Sequence, residues 1–175
     1  MNEKMKIAFN AIGFQLGWWL SVVGVMIDLP LLGPLYMVIF LGVHYSLFAS
    51  NREMLLILIA GAGGTFVDGL YGRSGILRFE SGYEHIWLAP LWITAMWTGF
   101  TATLNHALKW LKGRPVLGFV MGAIFGPLSY FSGEKLGVIT VLWSWTSTSL
   151  ILALVWGTAI LALYQLNERL AVDAS

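Results

Sequence analysis

The chain has 175 residues, 58% of them hydrophobic and 11% charged, with ten basic side chains, nine acidic ones and a net charge of +1. A soluble domain carries roughly 25% charged residues, and a mean hydropathy of +0.76 demands more apolar burial than a small water-soluble globule supplies, so lipid is the expected solvent. The near-neutral charge leaves no basic field for a nucleic acid, and none is expected as a partner; zero cysteines exclude disulfides, thiolate metal sites and iron–sulfur clusters.

Six apolar segments follow in order, against about 17 to 25 residues needed per crossing. The first, Ile7 to Met26, follows Lys4 and Lys6. It outruns the roughly 7 to 15 residues of a signal-peptide core and lacks an A-x-A cleavage site, so it reads as a retained helix. Leu31 to Phe48 and Met54 to Leu70 come next, then a polar stretch from Tyr71 to His85 that reads as a re-entrant or surface segment (Gly72, Arg73, Ser74, Gly75, Arg78, Glu80, Ser81, Gly82, Glu84). Ile86 to Leu108 is the fourth segment and Val116 to Phe131 a short fifth. The sixth, Val138 to Leu166, starts in the interface with Trp143 and Trp145 at headgroup level and crosses as Ser147 to Tyr164. The expected fold is all-α, a single-domain integral membrane bundle of about six transmembrane helices.

Alternating sides puts Lys4, Lys6, Arg52, Lys109, Lys112, Arg114 and Arg169 together, against Arg73, Arg78 and Lys135. The positive-inside rule then predicts a multi-pass protein of the bacterial inner (plasma) membrane with both termini cytoplasmic. Gly118, Gly122 and Gly126, Gly13 and Gly17, and Ala60 with Gly64 each lay a smooth stripe along one helix face. Packing within the bundle is the preferred reading, and a homo-oligomer interface is the alternative.

Polar groups in hydrocarbon must face protein or water. Sorted by depth, Asn10, Gln15, His44, Asn105 and His106 fall toward the cytoplasmic side. Interhelical hydrogen bonding is their simplest role, and a ligand or proton site in which His44 and His106 titrate or donate to a headgroup is the functional alternative. Asp28, Asp68, Arg73, Arg78, Glu80, Glu84, His85, Tyr130, Glu134 and Lys135 fall toward the outside. There a salt bridge from Asp68 to Arg73, Arg78 or Lys135 is the default, and a shallow pocket uniting Asp68, Glu84, His85, Tyr130 and Glu134 the alternative. Among nine tryptophans, Trp87, Trp110, Trp143 and Trp145 suit interfacial belts. Trp92 and Trp97, beside Pro90 and at the depth of Trp18 and Trp19, suit either bundle core or an apolar slot for an acyl chain.

Three histidines at two depths are too few for a membrane di-iron oxygenase, and no metal site is read. Gly72-Arg73-Ser74-Gly75 matches the G-x-S-G string of rhomboid proteases, but the serine lies in a polar loop with only His85 on its side, so this match carries no assignment. The candidate ligand-binding residues are Asn10, Gln15, His44, Asp68, Trp92, Trp97, Asn105, His106, Tyr130 and Glu134. No catalytic residue and no cofactor are assigned.

Asn10 to Trp18 (NAIGFQLGW), Trp87 to Trp92 (WLAPLW), Leu104-Asn105-His106, Gly122 to Tyr130 (GAIFGPLSY) and Gly133 to Gly137 (GEKLG) together resemble a proteobacterial inner-membrane family of unknown function over almost the whole chain. The resemblance implies a multi-helix inner-membrane protein. Through association with methyltransferases similar to cyclopropane-fatty-acid synthase, it also implies modified membrane lipids and a lipid-modifying enzyme as partner; it carries over no catalytic residue. The expected function is binding or helping to process a hydrophobic, lipid-like molecule, with membrane lipid as the partner. A small transporter or channel and an intramembrane enzyme are the alternatives.

Overall fold

The computed structural model describes residues 3–80 and 88–170. Ser81, Gly82, Glu84, His85, Trp87 and Ile86, with which the expected fourth segment starts, lie outside that range. Six α-helices are present among the described residues: α1 (Glu3–Met26), α2 (Leu32–Leu47), α3 (Asn51–Arg73), α4 (Leu91–Thr101), α5 (Pro115–Lys135) and α6 (Trp145–Arg169). Of these α1, α3, α5 and α6 are long and apolar enough to cross a membrane, which marks the chain as membrane-embedded. Their outward faces agree: Leu58 is 62% exposed, Val116 78% and Leu154 62%, large apolar side chains that water would penalise and acyl chains would not.

The expected six crossings are not reproduced as six long helices. The α2 helix has 16 residues. The fourth segment forms only the 11 residues of α4, about 16 Å of helix against a hydrocarbon core of about 30 Å. Its end is set by side chains. Thr98, Thr101 and Thr103 turn their hydroxyls onto carbonyls three or four residues back, and Asn10 of α1 donates from Nδ2 to the carbonyl of Ala102 at 2.9 Å while its Oδ1 accepts from the Ala107 amide at 3.4 Å. Residues 102–108 then continue as turns. Irregular backbone at membrane depth is tolerated where protein encloses it, and Ala102, Thr103 and Leu104 are buried. A short 3₁₀ turn, Lys109–Leu111, leads to α5.

Helix α4 is the centre of the bundle, packed on α1, α2 and α3, whereas α5 packs chiefly on α6. The glycine stripes serve these contacts. A Cβ on Gly17 would meet the Met37 methyl of α2 at 2.5 Å, one on Gly122 would meet the Trp156 carbonyl of α6 at 2.5 Å, and Gly64 makes room for the Trp97 ring of α4. The stripes are thus filled from within the chain.

The polar stretch after α3 contains an element that the sequence pattern does not announce. Strand β1 (Leu77–Phe79) pairs antiparallel with β2 (Ile139–Val141), matching Leu77 with Val141, Arg78 with Thr140 and Phe79 with Ile139. Gly75 (φ 66°) and Gly137 (φ 74°) turn the chain out of α3 and α5 into these strands, a backbone region that glycine enters without steric cost. The small sheet closes one end of the bundle. The opposite end gathers the start of α1, the α2–α3 turn, the end of α4 and the end of α6.

Candidate functional site

At the end opposite the sheet, Glu53 is the hub. Ser50 caps α3 by accepting from the Glu53 amide at 3.2 Å, and the Ser50-Asn51-Arg52-Glu53 order has the form of a capping box. The Glu53 carboxylate nevertheless points into the protein and is 4% exposed. Its Oε1 lies 3.1 Å from His106 Nε2 and 3.4 Å from His44 Nε2, and it accepts from Asn105 Nδ2 at 3.4 Å. Asn105 is clamped in turn by reciprocal amide bonds with Asn167 of α6, at 3.0 and 2.9 Å. His44 is wholly buried, and neither of its ring nitrogens has a hydrogen-bond partner. The Phe48 ring, 4.7 Å from the His44 ring and 4.8 Å from the His106 ring, closes the cluster on its apolar side.

Four of the five residues expected on this side, Asn10, His44, Asn105 and His106, therefore do meet at one end of the bundle, with Asn10 engaged in ending α4. Gln15 does not join them; it borders the cleft described below. Glu53 and Asn167 were missed because their positions at helix ends read as solvated. The signal was in the sequence: Glu53 is an acid at the depth of two histidines otherwise lacking a counter-charge.

Toward the sheet, Asp68 of α3 is fully buried. One carboxylate oxygen accepts from the Tyr130 hydroxyl of α5, the other from the Trp97 indole Nε1 of α4 at 2.6 Å. The expected salt bridge of Asp68 to Arg73, Arg78 or Lys135 is replaced by these two neutral donors. Arg78 instead meets Glu80 at 3.3 Å, and Lys135 sits 5.2 Å over the Phe131 ring. Glu134 also belongs elsewhere: it accepts from the Trp145 indole at 2.7 Å and from the Val141 amide at 3.4 Å, tying β2 to the start of α6. Ser74 hydrogen-bonds back to Leu70 at the end of α3.

Trp97 stacks on Trp156 of α6, with ring centroids 4.4 Å apart and planes 8° from parallel. Beside this pair runs a cleft of roughly 930 Å³ between α1 on one side and α5 and α6 on the other, floored by α4. Trp18 and Trp19 border it from α1, Trp92, Trp97 and Phe100 from α4, Phe125 and Tyr130 from α5 and Trp156 from α6. Gln15, Asp68, Thr103, Ser129, Ser132 and Lys135 are its polar lining residues besides the phenol and indole groups. Trp92 is anchored by its indole N–H to the Glu80 carbonyl at 3.3 Å. Trp92 and Trp97, for which the sequence leaves bundle core and slot both open, are buried among the core residues and also border the cleft with Trp18 and Trp19; Trp156, which the sequence pattern does not single out, completes the aromatic lining.

The site residues fall into two constellations on opposite sides of the α4 break: a dry Glu–His–His cluster with an asparagine clamp, and a long aromatic cleft with one buried carboxylate on its wall. Neither contains the serine–histidine or paired-carboxylate geometry of a hydrolase.

Neither a curated protein nor a solved structure matches the chain. A sequence-family profile does, over residues 7–162. That span takes in α2 to α5 whole, most of α1 and α6, and every candidate residue but Asn167, and the chain belongs to the DUF2878 family of proteins of unknown function.

Proposed function

We propose that the protein binds a hydrophobic, lipid-like molecule in the aromatic cleft beside α4 and serves as an accessory to fatty-acid or membrane-lipid modification. The cleft carries this reading. Its volume, roughly 930 Å³, lies near the top of the 300 to 1,000 Å³ range of ligand pockets, and a mostly apolar lining with a few convergent polar groups is the common form of such sites. Rings from α1, α4, α5 and α6 give an acyl chain flat surfaces, while Gln15, Ser129 and Ser132 offer hydrogen bonds to an ester or headgroup. The helix break fits as well, since discontinuous helices inside a bundle border binding sites in many membrane proteins.

Purification in a mild detergent followed by mass spectrometry of the retained lipids tests this. A lipid species enriched over the bulk membrane, and lost when Ala11→Trp or Ser129→Trp fills the cleft from either wall, supports the reading. Recovery of bulk phospholipid alone, unchanged in both variants, overturns it. Solute flux in proteoliposomes or a chemically altered lipid would move the assignment to a transporter or an enzyme.

We also assign the protein to the bacterial inner membrane with both termini cytoplasmic, on the seven-to-three division of basic residues. A C-terminal alkaline phosphatase fusion is expected to be inactive and a fluorescent-protein fusion bright; the reverse pattern inverts the orientation.

A further inference from the structure

We propose that His44, Glu53 and His106 form a binding site for one divalent transition-metal ion of the zinc class, held by two imidazole nitrogens and one carboxylate oxygen. The site is separate from the aromatic cleft and does not depend on what the cleft binds.

The donor atoms of the three residues lie within 4.8 Å of one another. Bonds of about 2.0–2.1 Å at tetrahedral angles set neighbouring donors about 3.3 Å apart. The two edges that meet at Glu53 Oε1, 3.1 Å to His106 and 3.4 Å to His44, bracket that spacing. The remaining edge, between the histidines, is at most 4.8 Å, and His106 is carried by the turn segment that follows the end of α4.

An ordinary Glu–His ion pair accounts for half of the cluster. Glu53 and His106 satisfy each other, but His44, wholly buried, has only the 3.4 Å contact of Nε2 with the same oxygen, outside hydrogen-bond geometry, and no partner at Nδ1. A buried imidazole is costly to leave unsatisfied, and ligation gives it a partner without adding a proton to the site. The surroundings are those of a metal centre: Asn105 donates to the Glu53 carboxylate and is itself fixed by Asn167, the kind of outer hydrogen bond that orients a ligand, while Phe48 and Phe40 keep the histidines dry. Two nitrogens and one oxygen suit zinc, cobalt or ferrous ions; calcium and magnesium require mostly oxygen ligands. His106 is 13% exposed and gives the ion a way in. Three protein ligands leave a coordination position open, as catalytic rather than structural zinc sites do.

The test uses the full-length protein in detergent, with any affinity tag removed and bound metal stripped by chelator, titrated with Co²⁺ and then Zn²⁺. One Co²⁺ per chain is expected, with the visible absorption of a low-coordinate nitrogen–oxygen site, displaced by one Zn²⁺. Glu53→Gln and His106→Gln are each expected to weaken Co²⁺ binding by more than about tenfold, and Asp28→Asn, an exposed acid at the α1–α2 turn, to leave it unchanged. Gel filtration reports whether each variant is folded; if Glu53→Gln aggregates, wild-type stoichiometry and His106→Gln decide. Absence of saturable binding at micromolar Co²⁺, or stoichiometric binding indifferent to both substitutions, overturns the site, and a preference for Mg²⁺ or Ca²⁺ overturns the donor chemistry.

Discussion

Removing the Asp68 carboxylate is expected to be among the most damaging single changes in the bundle. Its two oxygens hold donors from two different helices, Tyr130 of α5 and Trp97 of α4, and no part of it reaches the surface. Asp68→Ala leaves a buried hydroxyl and a buried indole N–H unsatisfied at about 1–3 kcal/mol each, about 2–6 kcal/mol together. A competing figure is smaller: interhelical hydrogen bonds in membrane proteins average about 0.6 kcal/mol, because the unfolded chain in lipid finds other partners. Two bonds of that strength would give about 1.2 kcal/mol. The larger figure governs here because hydrogen bonds to charged groups are worth about 1.5–3 kcal/mol and because this carboxylate is the acceptor that couples α3 to both α4 and α5. Equilibrium unfolding in mixed micelles, followed by tryptophan fluorescence, should show a loss of about 3 kcal/mol or more for Asp68→Ala. Tyr130→Phe should lose less, and the double-mutant cycle between them should give a coupling above about 1 kcal/mol. A loss under about 1 kcal/mol for Asp68→Ala, with no coupling, would refute the view that this residue ties three helices together rather than making two ordinary bonds.

Adjacent glycines should answer oppositely to the same change: Gly63→Ala, which meets open space, should raise stability by about 0.5–1 kcal/mol, and Gly64→Ala, which collides with the Trp97 ring, should lower it by about 1–3 kcal/mol; thermal unfolding of the pair checks this. Trp97→Ala removes both the ring stacked on Trp156 and a donor to Asp68, and should cost about 3–5 kcal/mol while enlarging the cleft. In Asn10→Ala the Ala102 carbonyl and the Ala107 amide lose their partner, a cost of about 1–3 kcal/mol. Hydrogen exchange should speed up over residues 102–108 before it changes in α5 or α6.

Much of this fold is written in hydropathy and glycine spacing. The long helices follow from apolar length, and the Gly118, Gly122 and Gly126 stripe does face α6 as the small-residue rule suggests. What hydropathy could not reveal was the break at Thr101. The stretch after it, Ala102 to Leu108, stays apolar enough to pass for helix, and at the break the Ala102 carbonyl accepts from a residue 92 positions earlier, Asn10, next to threonine hydroxyls that bond back along α4. The small sheet was hidden for a similar reason, since strands of three residues carry too little alternation to register. Depth sorting brought together His44, Asn105 and His106 but could not show that Glu53 turns inward, because its position in a capping box gives it an alternative role in water. On the other side, Asp68 looked like half of a salt bridge or a member of a pocket with Tyr130; the phenol does meet it, while its second partner, the Trp97 indole, sat among residues grouped for their apolar bulk.

The order in which the helices leave the ribosome bears on how so short a central element enters the membrane at all. Eleven helical residues are too few to span the bilayer by themselves, yet the helices α4 packs on most, α1, α2 and α3, have already been synthesised when it emerges. It can be received by a cradle that exists before it does. The last hairpin, α5 with α6, is then the door: until it arrives, the aromatic floor lies open to the bilayer, and a chain halted after residue 114 would present the bare half of a cavity.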